Sequence, residues 1–219
     1  MPDQNDAMRT YVASGAASGI GAATTTLLRE QGHRVITVDL RDADVTADLS
    51  SPEGRRDAVA GVRALTEVVH GVVPAAGISG FTGTDPALVV SVNFFGAVAL
   101  VEGLREPLTA ADGSGVVFLA SNSITGQPGW AGEVATACLS GDETAARSAA
   151  AAHEAVMVYP ASKAALAWWA RREGVRPEWV GAGIRLNAVA PGKTSTAMTE
   201  QLAADRSEEH TSELQSLTN

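Results

Sequence analysis

Tyr159 and Lys163 stand four residues apart in Val158-Tyr159-Pro160-Ala161-Ser162-Lys163, and on a helix that spacing places both side chains on one face. An ammonium beside a phenol favours the phenolate, drawing a group that normally loses its proton at about pH 10 toward acid/base work nearer neutrality. Many ordinary helix surfaces carry the same pair, so its weight depends on what accompanies it. The companion is the run Gly15-Ala16-Ala17-Ser18-Gly19-Ile20-Gly21, between the first apolar run and the first helical segment. There, backbone amides and a helix N-terminus attract a pyrophosphate. The spacing is GxxxGxG, which differs from the common GxGxxG fingerprint.

After the run Val35-Ile36-Thr37-Val38 comes Asp39, about 20 residues beyond the glycine loop, as a dinucleotide site requires. A carboxylate at that strand end can accept hydrogen bonds from both ribose hydroxyls of an adenosine and would repel a 2′-phosphate. NAD is therefore expected over NADP, with Arg41 the neighbour that argues the other way. Asp42 and Asp44 read as turn or capping residues. A proton donor coupled to a bound nucleotide is the chemistry these residues imply together.

The elements that must position them alternate. Short apolar runs at Thr10–Ala13, Arg34–Val38, near Val45, Val69–Val73, Val116–Ala120 and Ile184–Ala188 read as strands. Segments of helical period lie near Ile20–Gln31, Pro52–Val68, Pro86–Arg105 and Val158–Arg172. Ser51 is placed as an N-cap with Pro52 at the first helical position, and Gly32 stands where a glycine ends a helix. Repeated strand–helix–strand order predicts an α/β, Rossmann-like doubly wound parallel sheet with helices on both faces.

The chain has 219 residues, 45% of them apolar and 19% charged, with a net charge of −9. One domain spanning residues 1–205 is the expected organisation. The acidic balance argues against a nucleic-acid partner, which needs clustered Lys and Arg. Cys138 is the only cysteine, so it forms no intrachain disulfide and reads as a buried bystander thiol; the four histidines lack ligand spacing, and no metal is assigned. Met1–Thr10 lacks an apolar signal core, and no run of about 20 apolar residues is seen, so a cytoplasmic protein without a membrane partner is expected.

With the glycine loop, Asp39, Ser123, Tyr159 and Lys163 in this order, the chain resembles the short-chain dehydrogenase/reductase family over roughly Thr10 to Asp205. Further matching segments are Asp48-Leu49, Ala75-Ala76-Gly77, Ser91-Val92-Asn93-Phe94-Phe95-Gly96, Ser121-Asn122-Ser123-Ile124-Thr125-Gly126, and Arg185 to Gly192 followed by Thr194 and Thr196. The phrases Asp39–Val45 and Ala47–Ser50 are similar to the branch containing bacterial 3α-hydroxysteroid dehydrogenase/carbonyl reductase. That branch also carries a long insertion between serine and tyrosine, here including an Ala-rich stretch, Thr144–Ala155, that reads as an extra helix. The insertion would shape either the substrate mouth or a subunit contact.

The resemblance implies Tyr159 as the acid/base, Lys163 holding the nicotinamide ribose and depressing the tyrosine pKa, Ser123 on the reacting oxygen, and Asn93 supporting a water in a proton relay. Asp48 and Leu49 would contact the adenine side. Ala75, Ala76 and Gly77 would line the cofactor cleft, and Pro191, Gly192, Thr194 and Thr196 would flank the nicotinamide and its phosphate. The implied partner is a small alcohol or ketone, and a full-length chain would form a homo-oligomer. Two readings stay open, an NAD-dependent oxidoreductase and a catalytically silent nucleotide-binding module or unstable fragment; the complete set Asn93, Ser123, Tyr159 and Lys163 favours the enzyme.

Beyond the Pro191-Gly192 turn, the family continues through a lid to a last helix and strand, which this sequence lacks. Arg206–Ser216 resembles instead the in-frame translation of a sequencing-adapter oligonucleotide beginning AGA TCG GAA GAG CAC. Residues 206–219 are therefore expected to be an artefactual tail.

Overall fold

In the computed structural model, which describes residues 8–192 and 194–196, the strands are β1 (Thr10–Ser14), β2 (Arg34–Asp39), β3 (Val45–Thr46), β4 (Gly71–Pro74), β5 (Ser114–Leu119) and β6 (Ile184–Val189). They form one parallel sheet in the order β3-β2-β1-β4-β5-β6. The order reverses between β1 and β4, which opens a crevice at their carboxyl ends. The doubly wound expectation holds. The expected tail, and the boundary at Asp205, lie outside the described residues.

The sheet is covered by α1 (Gly19–Glu30), α2 (Pro52–Leu65), α3 (Pro86–Val90), α4 (Ala97–Gly103), α5 (Arg105–Thr109), α6 (Ser123–Gly126), α7 (Gly132–Ser140), α8 (Glu143–Ala150) and α9 (Ala155–Glu173). Val12, Ile36, Val38, Val72, Val116 and Phe118, on strands, meet Val62, Leu100, Leu104 and Leu166, on or beside helices, in one apolar core. Ser51 caps α2 as expected, its Oγ accepting from the Gly54 amide at 3.0 Å. Gly32 closes α1 with φ of 85°, and its amide donates to the Arg29 carbonyl.

The single helix expected over Pro86–Arg105 is corrected. Between α3 and α4, Ser91–Gly96 forms a π-turn, and α4 ends at Gly103 because Pro107 has no amide to donate to that carbonyl. Pro86–Gly103 is long and apolar enough to cross a membrane, with mean hydropathy 1.6, and 67% of it is buried inside the domain. It is placed as a core helix.

The insertion is two helices rather than one. α7 was not anticipated, and α8 ends before the Ala155 limit of the Ala-rich stretch. Val134, Ala135, Cys138, Ala146 and Ala150 are fully buried, so the apolar faces of α7 and α8 are used against α9 and α3 within the chain. Burial pushes the Cys138 thiol up to about 12, which keeps it protonated and inert.

Candidate active site

The glycine loop joins β1 to α1 across the crevice. Gly15 has φ of 66°, and a Cβ there would lie 2.6 Å from the Ala76 amide nitrogen; a Cβ on Gly21 would lie 2.2 Å from the Gly15 carbonyl oxygen. Neither position has room for a side chain, so the loop folds tightly onto the end of β4. Ser14, a fully buried residue not singled out from the sequence, fastens that contact: its carbonyl accepts from Ala75 N at 3.2 Å and its Oγ from Ala76 N at 3.2 Å. Its signal was a small hydroxyl at the strand end just before the loop. Ser18 and Ile20 lie at the start of α1.

Asp39 ends β2 beside this loop. Its Oδ2 accepts from Ala17 N at 2.9 Å, and its Oδ1 from Leu40 N at 2.7 Å. An open cleft lined by Ala17, Ser18, Asp39, Leu40, Arg41 and Asp42 adjoins it. Asp44 turns back to bind the Thr37 amide and hydroxyl, a turn residue as expected. Asp48 is exposed and accepts from Ser50 N, whereas Leu49 is buried at 5% exposure.

On the other side of the crevice, Asn93 projects from the π-turn and is fully buried. Its Oδ1 accepts from Ile78 N at 2.8 Å; its Nδ2 donates to Ile78 O at 3.0 Å and Ser162 Oγ at 3.2 Å. Both amide donors are thus engaged with protein, and the side chain acts as a brace between the β4 loop and α9. A Cβ on Gly77 would lie 3.0 Å from Asn93 Oδ1 and 3.4 Å from Lys163 Nζ, so Gly77, Asn93 and Lys163 meet at one point.

α9 carries Tyr159, Pro160, Ser162 and Lys163. Pro160 cannot donate to the carbonyl one turn back, that of Val156. Gln127 takes that place, donating to Val156 O at 3.1 Å and Gly129 O at 2.8 Å. Ser162 Oγ donates to Tyr159 O at 2.7 Å. The helix near the tyrosine is therefore pinned by side chains from neighbouring segments.

The serine that acts on the phenol electrostatically is Ser121. Burial raises the Tyr159 pKa above its ordinary value, and the hydrogen bond from Ser121 pulls it partly back. Ser123, the serine chosen from the sequence, lies one step behind, its Oγ donating to Ser121 Oγ at 2.9 Å. Both hydroxyls follow β5, and spacing alone did not separate them.

A second correction concerns Lys163. It is 6% exposed, and burial lowers its pKa to about 8. Its Nζ lies 5.8 Å from the centroid of the Tyr159 ring, against the face of the ring. The expected depression of the tyrosine pKa is absent: in the ligand-free protein burial holds both groups toward their neutral forms.

The β6 turn completes the cleft. Pro191 O accepts from Asn122 N at 3.3 Å, Thr194 Oγ1 donates to Gly192 O at 3.1 Å, and a Cβ on Gly19 would lie 3.6 Å from the Thr196 methyl. Every sequence-chosen position among the described residues therefore lies at the carboxyl edge of the sheet, Asp48 and Leu49 at its outer end. A glycine-lined anion site, an acceptor for ribose hydroxyls and a phenol beside a hydroxyl can together bind a dinucleotide and pass a proton to a substrate oxygen.

This arrangement is that of the short-chain dehydrogenase/reductase family. The sequence pattern described as short chain dehydrogenase matches residues 144–207, and the chain is 36% identical over 195 residues to a relative of which it covers 75%. The chain belongs to this family of oxidoreductases. That relative is the 3-alpha-hydroxysteroid dehydrogenase/carbonyl reductase of Comamonas testosteroni, matched over 87% of this chain. The coniferyl-alcohol dehydrogenase of Pseudomonas sp. (strain HR199 / DSM 7063) is 40% identical over 102 residues, 44% of this chain and 38% of the relative. Among solved structures, the 3-alpha-hydroxysteroid dehydrogenase from Pseudomonas sp. B-0831, complexed with NADH, superposes with a TM-score of 0.81 at 41% identity, covering 87% of this chain and 75% of the other.

Proposed function

We propose that residues 1–205 form one NAD-binding domain that interconverts a secondary alcohol, with hydroxysteroids the leading class, and the corresponding ketone. The observation that carries this is the meeting of the Ser121–Tyr159 pair, buried Lys163 and the glycine loop at one end of one crevice. The cradle fits a dinucleotide: side chains are excluded at Gly15 and Gly21, and Asp39 lines the cleft where an adenosine ribose would lie. Bound NAD supplies the hydride acceptor, or NADH the donor.

Tyr159 protonates the carbonyl oxygen in reduction and deprotonates the hydroxyl in oxidation. Burial, which raises its pKa in the ligand-free protein, keeps the phenol protonated through neutrality, as proton delivery to a carbonyl requires. Ser121 donates a hydrogen bond to the reacting oxygen, and Ser123 orients Ser121 from behind. Lys163 holds the nicotinamide ribose, and its charged form is favoured once ribose hydroxyls replace the dry surroundings. Asn93 fixes the β4 loop against α9, keeping Gly77 clear of the Lys163 ammonium. Ser18 and Ile20 contribute loop amides; Pro191, Gly192, Thr194 and Thr196 close over the nicotinamide end. Asp39 disfavours a 2′-phosphate by charge. The similarity to two 3-alpha-hydroxysteroid dehydrogenases supports a cyclic secondary alcohol.

The test is titration of the purified chain with NADH and NADPH at equal concentrations, followed by nucleotide fluorescence, and then NAD reduction with steroid, aromatic and small aliphatic alcohols. Tighter NADH binding and turnover of a cyclic secondary alcohol are expected. NADPH preference would remove the cofactor assignment, and NADH binding without turnover of any alcohol would remove the catalytic one.

A further inference from the structure

Outside the cleft, a buried cation with no part in the chemistry described above makes five hydrogen bonds. Arg55, in the first turn of α2, is 6% exposed. Its Nε donates to Leu49 O at 2.8 Å, and its Nη2 to Ser50 O at 3.0 Å and Ser91 O at 3.0 Å. Its outer edge meets the Glu143 carboxylate in a fork, Nη1 to Oε2 at 2.6 Å and Nη2 to Oε1 at 2.8 Å. The guanidinium also lies 5.8 Å from the centroid of the Phe95 ring.

These partners belong to regions far apart in sequence. Leu49 and Ser50 form the adenine-side segment after β3. Ser91 and Phe95 belong to the π-turn that carries Asn93, and Glu143 opens insertion helix α8. A second cation from α8 grips the same turn, with Arg147 Nη1 donating to Ser91 Oγ at 2.6 Å and Ala87 O at 3.3 Å. Gly96 shows how closely the two regions fit, since a Cβ there would lie 3.0 Å from Leu49 O and 3.1 Å from Leu49 Cβ.

A π-turn is less favourable than continued α-helix and persists where its surroundings enforce it. Here the carbonyl and hydroxyl of Ser91 are each held by an arginine, two residues before Asn93. Lysine could not reproduce this, because the contacts need several donors in one rigid plane. Burial raises the Glu143 pKa, but the hydrogen bonds from Arg55 and Ser91 and the charges of Arg55 and Arg147 outweigh it, so the carboxylate stays ionised and the fork intact.

We propose that Arg55 is a positioning residue that holds the adenine-side segment and the Asn93 π-turn in register, and that Glu143 makes the insertion part of this brace. The brace ties nucleotide binding to the placement of Ile78 and α9 through Asn93. Its kinetic consequence rests on the function proposed above; its structural consequence does not.

The decisive variant is the double substitution Arg55→Met with Glu143→Leu. Replacing the ion pair by apolar residues of similar size leaves no unpaired buried charge, but the Leu49, Ser50 and Ser91 carbonyls lose their donor, so a somewhat lower Tm with the fold retained is expected. Arg55→Lys, which keeps the charge and loses the fork, serves as the second variant. Three readouts are taken: Tm, hydrogen exchange at the Ile78 and Gly96 amides, and NADH affinity with kcat.

In the double variant, exchange at Ile78 and Gly96 should accelerate about tenfold beyond any change at the β1 and β2 amides, which report the stability of the whole domain. NADH affinity and kcat should each fall roughly tenfold, and Arg55→Lys should lie between the wild type and the double variant. Unchanged exchange, or faster exchange with unaltered affinity and kcat in an active wild type, overturns the proposal. If the wild type binds no NADH yet exchange accelerates as stated, the enzymatic reading fails and the brace stands.

Discussion

Along the nucleotide wall, from the Gly15–Gly21 loop to Asp39, the groups facing the cleft are backbone amides and a partly exposed carboxylate held by the Ala17 and Leu40 amides. Along the opposite wall they are side chains, Asn93, Ser121, Tyr159 and Lys163, set in or beside the apolar core. The first wall works by shape, because glycines let the chain approach where a Cβ would collide. The second works by charge kept from water, where burial moves pKa values and each polar atom needs a partner. Substitutions on the nucleotide wall should therefore change binding, and those on the other should change chemistry and stability together.

Lys163 should show the largest effect. Burial lowers its pKa from the ordinary 10.5 to about 8, a difference equivalent to on the order of 3 kcal/mol. Between about pH 8 and 10.5 the unfolded chain keeps a proton that the folded chain has lost, so stability rises with pH through that window. Below about pH 8 the cost of the buried charge is constant. Lys163→Met should then raise the ligand-free Tm at pH 7 while lowering turnover roughly 10³-fold. A lower Tm would mean that the ammonium is stabilised in place, and the contrast between the walls would weaken.

The serine pair comes next. Ser121→Ala should reduce kcat about 10²-fold, as loss of a donor to the reacting oxygen does. Ser123→Ala, which removes only a hydrogen bond onto Ser121 Oγ, should cost less than about tenfold. Equal losses in the two variants, measured at saturating nucleotide and alcohol, would restore the assignment of Ser123.

The nucleotide wall was readable in the sequence because backbone geometry is written in residue type. Gly15 and Gly21 admit no side chain, Ser51 and Gly32 mark helix ends, and Asp39 follows an apolar run. The proton-handling wall was readable in identity but not in arrangement. Ser121 and Ser123 both follow β5 within four positions, and only the turn of α6 decides which faces Tyr159. The i, i+4 spacing placed Lys163 near the tyrosine, yet the sign of the pKa effect depended on burial that spacing does not encode. The π-turn was hidden because the Pro86–Arg105 segment is apolar throughout. What enforces it, Arg55 and Arg147, acts from elements distant in sequence.

The smallest kinetic effect should fall on Asp39. Asp39→Ser removes the acceptor of two loop amides and of the ribose, so NADH should bind roughly tenfold more weakly, with kcat at saturation unchanged and stability lower by about 1 kcal/mol. Combined with Leu40→Arg, it should move preference toward NADPH by lifting the repulsion of the 2′-phosphate. A fall in kcat as large as that in affinity would show that the two walls are not separable.

The central claim is that Tyr159 passes the proton at a site whose nucleotide wall is built independently of it. Tyr159→Phe keeps the packed ring and removes the hydroxyl, so it separates the two functions directly. Measured side by side with the wild type, its NADH affinity should stay within about threefold while turnover of the best secondary alcohol falls roughly 10³-fold or more. A Tyr159→Phe protein that turns over at near wild-type rate, or that loses NADH binding as fully as it loses turnover, would contradict the account.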